Sequence, residues 1–404
     1  MRFTYLAVLC ALLAALVVPS RGLAQAGAGC EGLILIDQDQ LVVGDSFVAP
    51  LVEIFGDVYI GHRSFIASNT IVRAAPDLST CIGSETNLQD NIIVRSQEEA
   101  SHIGDETSIA HHGVVRDSEI GDFAFIGFNA VIRNAIVEDG AFILHGAYVE
   151  GVTIPEDRIV GVGQVVTDQA EADALPKAPA ATAEFRHEVL DVNAEFAESY
   201  IDLYEDEGYD ALIDVGGNPV TSFNPERISP TLGANVELQE FVRIVGDVRL
   251  GAHSRVGQRS AIRADEGSPI IIGANANLDD RMTFHALKDT EIRIGDNLTA
   301  ADDVVFHGPL VMGNGISVGD DAVVFRVNVE DDVKIGERAL LVGPAPEDGG
   351  ELLTIPAGSV IPDEAVITSE EDLQDVLAGG DGSRDEGRDT LVQMPQTGAG
   401  GMAR

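Results

Sequence analysis

His285 and His307 are the residues with the most chemical potential in this chain. Each directly follows a phenylalanine, Phe284 and Phe306, at the same point of a repeated pattern. If those phenylalanines sit on successive strands, the two histidines stack on one edge about 4.8 Å apart. Two imidazoles at that separation can share one ion through bonds of about 2.0–2.1 Å. Either histidine alone would read as an ordinary surface residue; the stacked pair does not. Three protein ligands and an open position make a reactive metal site, and the candidate third ligand, His111, lies in the other half of the chain.

The elements that must position these residues are repeats. Apolar residues recur every six positions: Ile60, Ile66, Val72; Ile82, Leu88, Val94; Ile103, Ile109, Val115; Ile120, Ile126, Ile132. The second half follows the same rule with Leu250, Val256, Ile262; Ile272, Leu278, Phe284; Ile294, Ala300, Phe306. A period of six is neither helical nor simply alternating. It fits a triangular solenoid whose coil is three hexapeptides, with Gly, Asn and Asp at the corners. The predicted fold is all-β: two tandem left-handed parallel β-helices, each with a C-terminal packing helix, the first longer. Ala178 to Leu212 supplies the first helix, with Phe185, Val189, Val192, Phe196, Tyr200 and Leu203 at helical spacing; Ser369 to Leu377 supplies the shorter one. In the first solenoid, the edge equivalent to His285 and His307 carries Arg95 and Arg116, and cations do not ligate a cation. In the second, the counterpart of His111 is Asp302. The two edges of one solenoid face apart, so a neighbouring solenoid must bring the third ligand.

Composition agrees with thin coils. The chain of 404 residues has no Trp, few aromatics and 43 Gly, yet is 45% hydrophobic. Its formal charge is −42, from 67 acids against 25 bases, and Lys177, Lys288 and Lys334 are its three lysines. Such a surface repels nucleic acid and anionic membrane and suits either high salt or plain solubility. No segment beyond the N-terminus is apolar enough for a membrane span. Residues 1–26 read as a signal peptide: Arg2, an apolar run from Leu6 to Val18, and Ala24-Gln25-Ala26 as the cleavage site. The protein is expected to be secreted or extracytoplasmic, with cell-surface attachment open. Cys30 is open to lipidation or to pairing with Cys81. The divisions are 31–213, the first β-helix with its helix; 214–226, a linker; 227–378, the second β-helix; and 379–404, a disordered tail. Met394-Pro395-Gln396-Thr397-Gly398 in that tail reads either as a sorting pentapeptide or as plain tail.

Several segments resemble the gamma-class carbonic anhydrases, the archaeal prototype type above all. They are Arg263-Ala264-Asp265-Glu266-Gly267, Asn277-Leu278-Asp279-Asp280, Phe284-His285-Ala286-Leu287 and Phe306-His307-Gly308-Pro309. In the first half they are Asn87-Leu88-Gln89-Asp90 and Ser108-Ile109-Ala110-His111, with the stretches from Val166 to Asp173 and around Asp191 to Tyr200. The resemblance covers nearly all of both solenoids and implies a tandem duplication. It implies a trimer-like ring, with two histidines from one solenoid (His285, His307) and the third (His111) from a neighbour. It implies a zinc ion, with iron(II) or cobalt also admitted, that makes hydroxide from water at neutral pH and turns carbon dioxide into bicarbonate.

The likeness is uneven. The family's metal-water glutamine matches Gln89 but becomes Asp279; its active-site glutamate matches Glu266 but becomes Pro76; its helix asparagine matches Asn193. Gln89, Glu266 and Asn193 are therefore the expected catalytic residues. Arg73, Asp90, Arg263, Asp265 and Asp280 are the expected interface residues of a homo-oligomer. The proton-shuttle position holds Lys288 in the second half and aligns with Glu98 in the first. A ring made of second solenoids alone would offer Asp302 as the third ligand. Two other functions fit a hexapeptide solenoid: a non-catalytic assembly protein, and an acyltransferase with a single catalytic histidine.

Overall fold

The computed structural model describes residues 29–344, 351–380 and 382. The signal-peptide reading of 1–26, most of the 379–404 tail and the 394–398 pentapeptide lie outside them. The six-residue period becomes two triangular prisms. The first has sheets of seven, seven and eight strands between Ile34 and Val166, and the second has sheets of eight, seven and seven between Val215 and Ile367. Pairing is parallel coil to coil, apart from two antiparallel pairs at the start, Ile34–Leu35 with Asp57–Ile60 and Val42–Val43 with Ser46–Val48. Within the stretch read as a linker, Val215–Gly216 already pairs with Arg243–Gly246 of the second prism.

The inward residues named from the period fill the prisms. Ile60, Ile66, Val72, Leu88 and Val94 are fully buried in the first, and Val256, Ile262, Leu278 and Phe284 in the second. A side chain of this size contributes about 1.5–3 kcal/mol when fully buried, and the same slot is filled coil after coil. Phe284 and Phe306 stack inside at 4.5 Å between ring centroids. Because side chains alternate along a strand, that inner stack places the next residues, His285 and His307, together on the outside.

Helix α1 spans Gln169–Ala174, α2 spans Ala181–Glu207 and α3 spans Glu370–Leu377. Asp168 caps α1 and Ser369 caps α3 through their side-chain oxygens. Phe196, Tyr200 and Leu203 of α2 pack on Phe47 and Phe65 of the first prism. The prisms meet along a seam. Phe125, Phe128 and Phe142 of the first join Val305, Val323, Phe325 and Leu340 of the second in one apolar cluster. At Gly146 a Cβ atom would run into Leu340 across the seam. Corner asparagines in the left-handed region also bridge it: Asn69 (φ 61°) donates to the Arg259 carbonyl, Asn91 (φ 62°) to the Thr283 hydroxyl and Asn129 (φ 52°) to the Asp321 carbonyl. Cys30 and Cys81 form a disulfide, so of the two readings of Cys30 it is the pairing that the structure contains.

Candidate metal centre

The seam brings His111 of the first prism onto the His285 and His307 edge of the second. His285 and His307 are cross-strand partners in register, with ring centroids 5.4 Å apart. The His111 ring lies 5.2 Å from His285 and 5.6 Å from His307. One nitrogen from each falls within 4.8 Å of the others, and among the described residues this is the group of such side chains that one ion can gather. All three are essentially buried. The third imidazole thus comes from a neighbouring solenoid, and that solenoid is the first half of the same chain.

The surroundings fit a metal. His111 Nε2 and both ring nitrogens of His285 are buried without a hydrogen-bond partner, an arrangement that costs about 1–3 kcal/mol for each unsatisfied group and that a shared ion would relieve. The remaining contacts brace the rings. His307 Nδ1 lies 3.0 Å from the Gly308 carbonyl oxygen. His285 Nε2 is 3.3 Å from Asp265 Oδ1 and 3.8 Å from Glu266 Oε2. His111 Nδ1 meets Asp90 twice, at the backbone nitrogen (3.2 Å) and the carboxylate (3.4 Å). A ligand imidazole held on its far side by a carboxylate or carbonyl is fixed in orientation. Burial pushes His111 down to about 3 and holds His307 well below its ordinary value. Both are neutral near pH 7, the form a metal requires.

The carboxylates are charged because of one arginine. Burial alone would raise Asp90 and Asp265, but the Arg263 guanidinium and the neighbouring histidines more than offset it, and both end below the usual carboxylate range. Arg263 lies 2.9 Å from Asp90 across the seam and 2.5 Å from Asp265 beside it. Tyr200 of α2 donates to Asp265 at 2.5 Å, and Asn224 donates to the carbonyls of Asp265 and Glu266. Glu266 Oε1 accepts the Lys288 backbone N–H at 2.8 Å, and burial raises its carboxyl.

Gln89 also reaches this centre: its Oε1 accepts the His111 backbone N–H at 3.3 Å. Other expected residues have no described contact with the histidines. The Asn193 amide donates to the Val189 carbonyl within α2, and no described hydrogen bond joins it to the histidines. Asp302 is exposed, its carboxylate accepts the Asp280 N–H, and it is outside the histidine group. Arg73 pairs with Glu53 and stacks on Phe55, and Asp280 binds Gln258, so these two do not meet within the chain. Glu98 is an exposed partner of Arg116 at 3.8 Å. Sequence reasoning missed His112, whose ring contacts Thr283 (2.9 Å) and Asp303 (3.5 Å) across the seam; its position directly after His111 was the available signal.

No protein-family model matches the chain. It is 30% identical over 168 residues to "Carboxysome assembly protein CcmM" of Nostoc, a match covering 39% of this chain and 30% of that protein. It is 29% identical over 178 residues to "Carbonic anhydrase" of Methanosarcina thermophila, covering 38% of this chain and 72% of that enzyme. It is 34% identical over 89 residues to "Gamma carbonic anhydrase 1, mitochondrial" of Arabidopsis thaliana, covering 20% of this chain and 32% of that protein. The chain therefore spans less than a third of the length of the carboxysome protein and most of the archaeal one. Its fold and relatives define a hexapeptide-repeat β-helix protein. Within that class it is gamma-carbonic-anhydrase-like.

Proposed function

We propose that this chain is a metal-dependent carbonic anhydrase, hydrating carbon dioxide to bicarbonate at His111, His285 and His307. The observation that carries the reading is the convergence of three buried imidazoles, one from the first prism and two from the second, with unpartnered nitrogens on His111 and His285. A bound divalent ion, zinc by default with iron(II) or cobalt also suited to imidazole, supplies Lewis acidity that brings the pKa of water from 15.7 to about 7. The chain's own residues do the rest. The neutral imidazoles hold the ion. Gln89, whose carbonyl oxygen is engaged by the His111 backbone, keeps its amide N–H groups for an oxygen of the reactants. Glu266, with its side chain 10% exposed and its carboxyl raised by burial, takes a proton at Oε2 and releases it to solvent. The disulfide supports an extracytoplasmic location.

Elemental analysis of anaerobically purified protein, beside a stopped-flow hydration assay, tests this. The expected result is about one ion per chain, with ion and hydration lost together in His111→Ala. Metal-free wild-type protein without hydration refutes it. The likeness to an assembly protein and the placement of Glu98 away from the histidines favour a second, non-catalytic reading; full metal occupancy without hydration would select it.

A further inference from the structure

The segment joining the two prisms is built into the histidine centre. Asn218 ties it at the base. Its backbone N–H donates to the Ile228 carbonyl (3.3 Å), its Oδ1 accepts the Ile228 N–H (2.8 Å), and its Nδ2 donates to the Pro219 and Glu226 carbonyls. Residues 218–228 thus form a strap with its two ends held together. The tip of the strap, 221–224, sits between α2 and the edge of the second prism. Thr221 is buried; its N–H donates to the Asn224 carbonyl (3.1 Å) and its hydroxyl accepts the Asn224 N–H (2.9 Å). Ser222 donates through its backbone N–H and its hydroxyl to the Glu195 carboxylate of α2. The Phe223 ring is edge-on to Phe196 of α2, 5.6 Å between centroids, and the Lys288 ammonium lies 5.9 Å from its centre.

What the tip grips is the backbone that carries Glu266. The strand Ala261–Ala264 pairs in register through Arg263 and His285, so the carbonyls of Asp265 and Glu266 lie past its end. Asn224 Nδ2 donates to both, at 2.6 and 2.8 Å. A side-chain amide nitrogen has two N–H bonds, and here they go to the carbonyls on either side of the Glu266 Cα. Beyond them stands Gly267, where a Cβ would run into the Leu287 and Thr290 carbonyls. The Lys288 N–H then holds Glu266 Oε1 at 2.8 Å, and Oε2 is left 3.8 Å from His285 Nε2. A spacer between two prisms needs none of these contacts.

We propose that Asn224 is a positioning residue for Glu266: by clamping the two carbonyls it keeps Oε2 beside His285 and so sets how fast the proton leaves the centre. The inference rests on the hydration reading above. An acid–base group works only within hydrogen-bond reach of its proton, and a misplacement of about 1 Å can cost about 100-fold. The described hydrogen bonds of Asn224 run to Thr221, Asp265 and Glu266 and to none of the imidazoles, so ion binding does not depend on it. Proton departure restores the centre after bicarbonate has formed. Slowing it lowers kcat and leaves kcat/KM for carbon dioxide in place.

Stopped-flow hydration by the full chain tests this with Asn224→Ala and the isosteric Asn224→Asp, whose carboxylate accepts and does not donate. Circular dichroism and metal content are measured beside it and are expected to match wild type. Both variants are expected to lose about tenfold or more in kcat, with kcat/KM little changed. Both should regain kcat in imidazole buffer, a mobile base that takes the proton in place of Glu266. Wild-type kcat in the variants would overturn the proposal and leave the hydration reading standing. So would kcat and kcat/KM lowered together with no response to imidazole. Loss of the fold or of the ion would overturn it as well, because Asn224 would then support the structure rather than the carboxylate. Wild type that binds its ion without hydrating carbon dioxide overturns the hydration reading itself, and this inference with it.

Discussion

Arg263 and Arg73 occupy equivalent positions in the two prisms, and their environments predict opposite outcomes for the same substitution. The Arg263 guanidinium is 2.9 Å from Asp90 and 2.5 Å from Asp265, with side-chain exposures of 4%, 0% and 0%. Arg263→Met keeps much of the side-chain volume but leaves two buried carboxylates without their cation. Breaking a buried ion pair from one side costs about 3–5 kcal/mol, and here one residue serves two carboxylates, so the upper part of that range is expected. Arg73, 47% exposed and 3.4 Å from Glu53, should lose no more than about 1 kcal/mol in Arg73→Met. Urea unfolding of both variants gives the difference. Adding Asp90→Asn and Asp265→Asn to Arg263→Met should recover part of the loss, because the penalty lies in the stranded charges. A stability for Arg263→Met within about 1 kcal/mol of Arg73→Met would refute the reasoning.

Asp321, raised to about 6 by burial and then by Asp303 and Asp320, binds its proton more tightly folded than unfolded. Its contribution is therefore most favourable below pH 3.8, declines as pH rises towards 6 and stays lost above that. Asp321→Asn should stabilise the protein by about 1–3 kcal/mol at pH 7 and by nothing near pH 3, as read from urea midpoints at the two values. Reducing Cys30–Cys81, which closes a separation of 51 residues, should cost about 2–4 kcal/mol, measured as the shift in urea midpoint with and without dithiothreitol. Gly146→Ala, at φ 64° and against Leu340, should loosen the seam and lower metal content; metal analysis that shows no change would refute the close approach.

Much of the architecture was legible because the six-residue period leaves little choice. Leu88, Val94, Phe284 and Phe306 had to point inward, and once they did the stacking of His285 on His307 followed from register. Arg95 and Arg116 were legible as an edge that holds no cation. His111 was legible as the third imidazole, but whether it comes from the same chain or from another copy was not, since a pattern of inward residues says nothing about which prism packs on which. That choice is made by corner residues such as Asn91, His112 and Asn129, which look in sequence like any turn residue. Asp265 was visible as part of a motif, but not as the point where Arg263, Tyr200, Asn224 and His285 meet, because those partners come from segments far apart in the chain. Asn193 was visible as a residue type on the expected helix; its described hydrogen bond runs to the Val189 carbonyl of that helix.

Covalent continuity between the two prisms has a consequence for affinity. When a centre is divided between separate molecules, dilution takes it apart, and ion binding follows protein concentration. Here both halves ride on one polypeptide, and the partner is always present at an effective concentration set by the connecting segment rather than by the solution. Assembly of the three-histidine site thus becomes an intramolecular event that does not depend on how often copies of the chain meet.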